Sequence, residues 1–237
     1  MGNKVFRPKL WALGLTVVLC GAMIALGIWQ LGRGQDKAEL LARYEAAAER
    51  PPREMTAGAW AEPGVIERAS VAGRFDGTRQ LLLDNQSHER QPGYRVWTPL
   101  LLNHGGVVIV DRGWIPAGGD RSKPPPVPVP QGEVRFTGYW RTLPEPGMRL
   151  EVDNCAPAPW PRIVQYPTAD ELRCLYGQSV PGGLFLMDAD APGGYVREWG
   201  AGPELSPGKH YGYAAQWFAF AAVLAALFII YSFRPRT

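Results

Sequence analysis

"YRVWTPLLLNHGGVVIVDRGW", residues 94–114, contains two apolar runs joined by a turn. Residues 94–102 and 107–114 are rich in Val, Ile, Leu and aromatic side chains. Asn103-His104-Gly105-Gly106 between them is turn chemistry, so the stretch predicts a β-hairpin. The same period continues outward. Residues 66–75 alternate through Val71, Gly73 and Phe75. Leu81–Leu83 reads as a short strand ended by Asp84-Asn85. Downstream, Val134, Phe136, Gly138 and Trp140 fall on one face of a strand, and 183–188 is a last strand. Residues 116–132 are so rich in Pro and Gly that they predict an extended loop. Thr168 and Glu171 form a capping box ahead of a short helix at 169–176. Residues 36–50, "DKAELLARYEAAAER", are helix formers and predict a surface helix.

Two apolar runs bracket this segment. Leu10–Leu31 and Tyr211–Phe233 contain no Asp, Glu, Lys or Arg. Each exceeds the roughly 20 apolar residues that cross a bilayer. The fold class expected is therefore a membrane protein with two transmembrane α-helices flanking a mostly antiparallel β (α+β) extramembrane domain. The first run is longer than the usual apolar stretch of a signal peptide, and no A-x-A site follows it, so an uncleaved anchor is expected. Only nine residues precede it, which leaves no room for a transit peptide and favours a bacterial membrane. Lys4, Arg7 and Lys9 before the first run, and Arg234 and Arg236 after the second, place both tails in the cytoplasm. The organisation expected is a cytoplasmic tail (1–9), a first span (10–31), a periplasmic β-rich domain (32–210), a second span (211–233) and a short cytoplasmic tail (234–237). The protein is thus expected in the bacterial inner membrane, in contact with lipid.

Net charge is only +3 over 237 residues, with no basic block, so nucleic acid is not an expected partner. No P-loop, G-x-G-x-x-G or H-E-x-x-H is present, and "GQSVP" (177–181) lacks the second glycine of a nucleophile elbow. His88 and His104 read as polar loop and turn residues, and Asp84 and Asp111 as strand-end carboxylates that satisfy turns. No enzymatic activity is expected. Cys155 and Cys174 lie in the exported segment, where a bridge or two separate thiols both fit; Cys20 lies in the first span and reads as a small apolar packer.

The unusual residues gather where the apolar runs meet the middle segment. "LGIWQLGRGQDK" (26–37) leaves the first run and "KHYGYAAQWF" (209–218) enters the second. Trp29 and Arg33 are four apart and share a helix face; His210 and Trp217 are seven apart and share another. An aromatic belt accounts for Trp29, Tyr211, Tyr213 and Trp217, but less well for His210 and Gln216. A histidine at the mouth of a membrane helix is a candidate functional residue. Ala215, Ala219, Ala222 and Ala226 form a small-residue stripe suited to packing on the first helix. At about 100° per residue that stripe lies opposite His210, which is then expected to face away from the helix pair.

These stretches, with "GRF" (73–75), "LLLDNQ" (81–86), "VVIVDRGWIP" (107–116) and "KHYGYAAQWFAF" (209–220), resemble the Surfeit locus protein 1 family of cytochrome c oxidase assembly factors. The blocks run in the family's order and span nearly the whole chain. The resemblance implies a role in placing heme a in the oxidase catalytic subunit, with that subunit and heme a synthase as partners. It implies transient heme a binding, with His210 as candidate iron ligand. Trp217 and Trp29 would flank the macrocycle, and Arg33, Lys37 or Lys209 would pair with propionates. The alternative is a scaffold, without heme, that steadies oxidase subunits during assembly.

Overall fold

The computed structural model describes residues 4–56, 58, 61–118, 123–145, 153–177, 180–199 and 206–235. These divide into two compact units, Met1–Leu41 with Glu204–Thr237, and Ala42–Pro203.

The central unit is built on an eight-stranded sheet. Its strands are β2 (Arg53–Glu54), β3 (Glu67–Phe75), β4 (Leu81–His88), β5 (Gln91–Leu102), β6 (Val107–Pro116), β7 (Val134–Thr142), β8 (Arg162–Val164) and β9 (Gly183–Met187). Their order is β2-β3-β7-β9-β6-β5-β4-β8, with an added pairing of β3 to β5. That pairing sets Gly73 opposite Leu102 and Phe75 opposite Leu100, and it closes β3, β7, β9, β6 and β5 into a five-stranded ring. Gly73 permits the closure, because a Cβ there would lie 2.1 Å from the Leu101 carbonyl oxygen. The predicted hairpin is present as β5–β6, with Leu100 opposite Val108 and Trp97 opposite Asp111. Most pairings are antiparallel; β2–β3, β4–β8 and β6–β9 are parallel.

The alternating residues converge inside the ring. Val71, Phe75, Leu100, Val108, Val110, Phe136, Trp140, Phe185 and Met187 form one buried cluster. Phe136 stacks on Phe75 and meets Phe185 edge-on. Arg112 is also buried, between the rings of Phe75 and Tyr195. It donates to the carbonyls of Gly193 and Pro128, which ties two loops to the sheet. Burial pushes its guanidinium below the ordinary value.

Several local expectations change. β4 does not end at Asp84-Asn85; it bulges there, with Asn85 at φ 61°, and continues to His88. Asn tolerates the left-handed region, so the pair re-aims the strand rather than stopping it. Asp111 accepts from the Gly113 amide two residues on, as a turn carboxylate does, but that is only part of its role. It is buried on β6 and accepts bonds from Arg95 Nε at 2.6 Å and Trp97 Nε1 at 3.1 Å. The bonds of Asp111 replace the water that burial removes. Helix α2 (Ala169–Tyr176) carries the predicted capping box, and Cys155 and Cys174 are joined in a disulfide. The described part of the 116–132 loop is extended, and Gln80 donates to its Val127 carbonyl.

The terminal unit contains α1 (Leu10–Ala48) up to Leu41, and α3 (Pro207–Ser232). Both helices are long and apolar enough to cross a membrane. Short strands β1 (Lys4–Phe6) and β10 (Phe233–Pro235) pair antiparallel beyond them, with Val5 opposite Arg234. The first apolar run and the helix predicted at 36–50 are continuous, and α1 is one helix of 39 residues that ends at Ala48. No proline interrupts it. Its glycines cost about 1 kcal/mol each in helix propensity, and two of them, Gly27 and Gly34, are covered by rings of α3. The last turns of α1 belong to the central unit, where Tyr44 meets Tyr139 edge-on.

Candidate functional site

Helices α1 and α3 run antiparallel and meet along a heptad-like seam. On α3 the covered positions include His210, Ala214, Trp217, Ala221, Leu224, Phe228 and Ser232; on α1 they include Cys20, Met23, Gly27, Gln30 and Gly34. Gly27 and Gly34 are seven apart, and so are the two rings that lie on them. A Cβ on Gly27 would come 2.5 Å from the Phe218 ring, and one on Gly34 would come 2.5 Å from the Tyr211 ring. The two glycines are therefore sockets, and α3 supplies the knobs. Cys20 packs here too, its thiol reaching the Ala221 carbonyl at 3.5 Å.

His210 lies between these sockets in the first turn of α3. It is only 7% exposed. Its Nδ1 is 2.7 Å from Gln30 Oε1. An amide oxygen can only accept, so in the neutral ring Nδ1–H donates and Nε2 carries the lone pair. No bond is made by Nε2 among the described residues. A second residue that fixes the tautomer and orients the ring is the usual support of a metal-ligating histidine.

This reverses one expectation. Ala215, Ala219, Ala222 and Ala226 are all exposed, and His210 faces the first helix instead of pointing away from it. The small residues at the seam are Gly27 and Gly34 of α1, which take the rings of Phe218 and Tyr211, and Ala214 and Ala221 of α3. A polar ring turned outward from an apolar helix would also lack a partner, and Gln30 supplies one. Sequence reasoning did not single out Gln30. Its signal was a lone amide inside an apolar run, at the height of a lone histidine in the other.

The other predicted site residues occupy the rim. Trp217 is half-buried and meets Phe220 edge-on at 6.1 Å. Trp29 is 57% exposed, and Arg33 is exposed and 3.6 Å from Asp36. At about 100° per residue, Trp29 and Arg33 sit roughly 60–100° round α1 from Gln30, on the side away from the two sockets. Tyr213, Trp217 and Phe220 lie on the matching flank of α3. One flank of the pair is thus closed by rings on glycines, and the other carries exposed aromatic residues and a cation. Neither Lys37 nor Lys209 pairs with His210.

Elsewhere, His104 is an exposed turn residue as expected, and the His88 ring packs on Trp114 at 5.2 Å. No cluster of three or more His, Cys, Asp or Glu suited to a metal occurs among the described residues. Iron in a porphyrin needs only an axial donor from the protein, so one histidine with a free Nε2 fits that group.

A family model described as SURF1 family matches residues 17–222, from within α1 through the sheet to the facing part of α3. The chain belongs to the SURF1 family. Uncharacterised SURF1-like proteins of Mycobacterium bovis and Mycobacterium tuberculosis are each 26% identical over 227 residues, covering 91% of this chain and 80% of theirs. A SURF1-like protein of Monosiga brevicollis is 31% identical over 140 residues, covering 54% of this chain and 51% of its own. The SURF1 family comprises oxidase assembly factors, and this SURF1 protein has the sheet unit and the two terminal apolar helices described above.

Proposed function

We propose that this SURF1 protein assists the placing of heme a in the catalytic subunit of cytochrome c oxidase, and that it holds heme a transiently on His210. The observation that carries the reading is the Gln30–His210 bond, which leaves Nε2 as the unengaged donor atom. Bound there, the heme would supply the iron that accepts the imidazole lone pair. Trp217 and Trp29 offer ring faces on the open flank, and Arg33 offers a cation to a propionate. His210 sits within one helical turn of the start of α3, where a cargo can enter or leave sideways.

The protein is proposed to sit in the bacterial inner membrane, both helices spanning it and the sheet unit in the periplasm. The apolar helices and the basic residues flanking them support this. It acts as a carrier rather than an enzyme, receiving heme a from its synthase and passing it to the catalytic subunit. A scaffold without heme would use the Gln30–His210 bond only as a pin between helices. Expression with and without a heme a synthesis pathway separates the two. The carrier predicts a heme a absorption band in the purified protein only when the pathway is present. Colourless protein in both cases favours the scaffold.

A further inference from the structure

Two of the sequence blocks that mark this family, "LLLDNQ" and "VVIVDRGWIP", belong to the central unit, whereas His210 belongs to the terminal one. Inside the central unit they converge on one cavity of about 180 Å³, against the roughly 10–15 Å³ that holds a single water. Leu83 and Gln86 come from the first block and Asp111 from the second. The polar groups on its wall are held in place. Trp199 Nε1 donates to the Met187 carbonyl at 2.6 Å, and Gln86 Nε2 donates to Tyr166 Oη at 3.1 Å. Tyr166 is kept at φ 43°, a left-handed conformation that costs a tyrosine on the order of 1–3 kcal/mol and that clusters at functional sites. The bulge at Asn85 sets where Gln86 points.

Two arginines and two carboxylates line this cavity, but they do not pair one to one. Asp111 is satisfied by Arg95 Nε, Trp97 Nε1 and the Gly113 amide. Arg95 lies over the Trp199 ring at 4.5 Å, and its Nη2 is buried with no hydrogen-bond partner among the described residues. Among the described residues only its Nε meets a carboxylate. Arg141 bonds only neutral oxygens, the Thr142 carbonyl and Tyr44 Oη, and no described carboxylate pairs with it. Glu198 lines the cavity too, but it is exposed, where solvent screens its charge. Leu184, Leu186 and Pro144 supply apolar wall.

We infer that this cavity is a binding site for a carboxylate carried on a short apolar or aromatic stem, with the guanidinium groups of Arg95 and Arg141 receiving the carboxylate and Trp199 beside the stem. A guanidinium held over an aromatic ring, its Nε already on Asp111, can still offer a second carboxylate charge-assisted hydrogen bonds. The carboxylate can belong to a free small acid or to the end of a protein chain, and the chemistry is the same for both.

The test is calorimetric titration of the full-length protein in detergent with 3-phenylpropionate and 3-phenylpropanamide. A phenylalanine-terminated tripeptide, as free acid and as amide, forms the second arm. Saturable binding of an acid but not of its amide supports the site, and the arm that responds identifies the source. Arg141→Gln should weaken acid binding about tenfold or more, the loss of one charge-assisted bond. Arg95→Gln should weaken it further. Because Arg95→Gln also leaves Asp111 short of a partner, Arg141→Gln is the deciding variant, and exposed Arg74→Gln is the control that leaves binding unchanged. Equal binding of acid and amide, no saturable binding of either acid, or acid binding indifferent to Arg141→Gln would overturn the inference. None of these results bears on heme at His210.

Discussion

Gln30 and His210 are 180 positions apart in sequence and 2.7 Å apart in the helix pair, the amide oxygen of one holding Nδ1 of the other. The bond makes His210 an oriented ring with a defined free nitrogen. Removing the amide tests the arrangement without touching the proposed ligand. Gln30→Leu should leave the protein in the membrane but lower heme a affinity about 10- to 100-fold, the usual cost of losing a residue that orients a ligating histidine. Heme content per purified protein, titrated against added heme, checks this. Unchanged affinity would mean that Gln30 does not orient the ligand.

The socket glycines make a second prediction. Gly27→Leu must displace the Phe218 ring or part the helices, at a cost of about 1–3 kcal/mol by analogy with overpacked cores. Gly21→Leu is the matched control, since nothing lies within 4 Å of a Cβ there. Thermal unfolding in detergent should therefore separate the two variants. Equal stability of the two variants would show that the Phe218 ring does not rest on Gly27, because leucine gains helix propensity over glycine at both positions.

Thiol labelling addresses the disulfide. The bridge of Cys155 to Cys174 closes a loop of sequence separation 19, and Cys20 is free. In unfolded, non-reduced protein one thiol should label, and three should label after reduction. Loss of the bridge should cost about 3 kcal/mol on the chain-entropy account. Three labelled thiols before reduction would refute the pairing.

A fourth prediction concerns acid stability. Asp188 accepts from both Arg68 nitrogens, at 2.6 and 2.5 Å, and from Thr137. Burial pushes its carboxyl up, but those bonds and the Arg68 charge outweigh burial and hold it below the ordinary carboxylate range. A lowered folded value means the stabilisation is present above about pH 4 and is lost as pH falls further. Asp188→Asn should therefore destabilise by about 2 kcal/mol at neutral pH and by less near pH 3, read from denaturant unfolding. An equal loss at both values would contradict the assignment.

Much of the sheet was legible because its signal is local. The 94–114 hairpin, the Val134–Trp140 face and the Thr168–Glu171 box each declare themselves within a few residues. Ring closure did not, because it depends on Gly73 admitting the distant Leu101 backbone. Strand β8 is three residues in a proline-rich stretch and follows β4 only through tertiary pairing. At the helix pair, His210 could be picked out as a misfit in an apolar segment. Its direction could not, since that depends on which helix supplies the small residues. Ala215, Ala219, Ala222 and Ala226 matched the small-residue pattern, yet Ala214 and Ala221 of α3 and the two glycines of α1 form the contact.

The central claim is that His210 Nε2 binds heme a iron. The direct measurement is heme a per protein in His210→Ala and wild type, purified in equal amounts from cells that make heme a. The variant should reach the membrane at the normal level, because the deleted ring contributes one interhelical bond of about 1 kcal/mol. Its heme a band should be lost or shifted, and oxidase activity should fall as enzyme lacking heme accumulates. Equal heme content and an identical spectrum in the two proteins would contradict the claim.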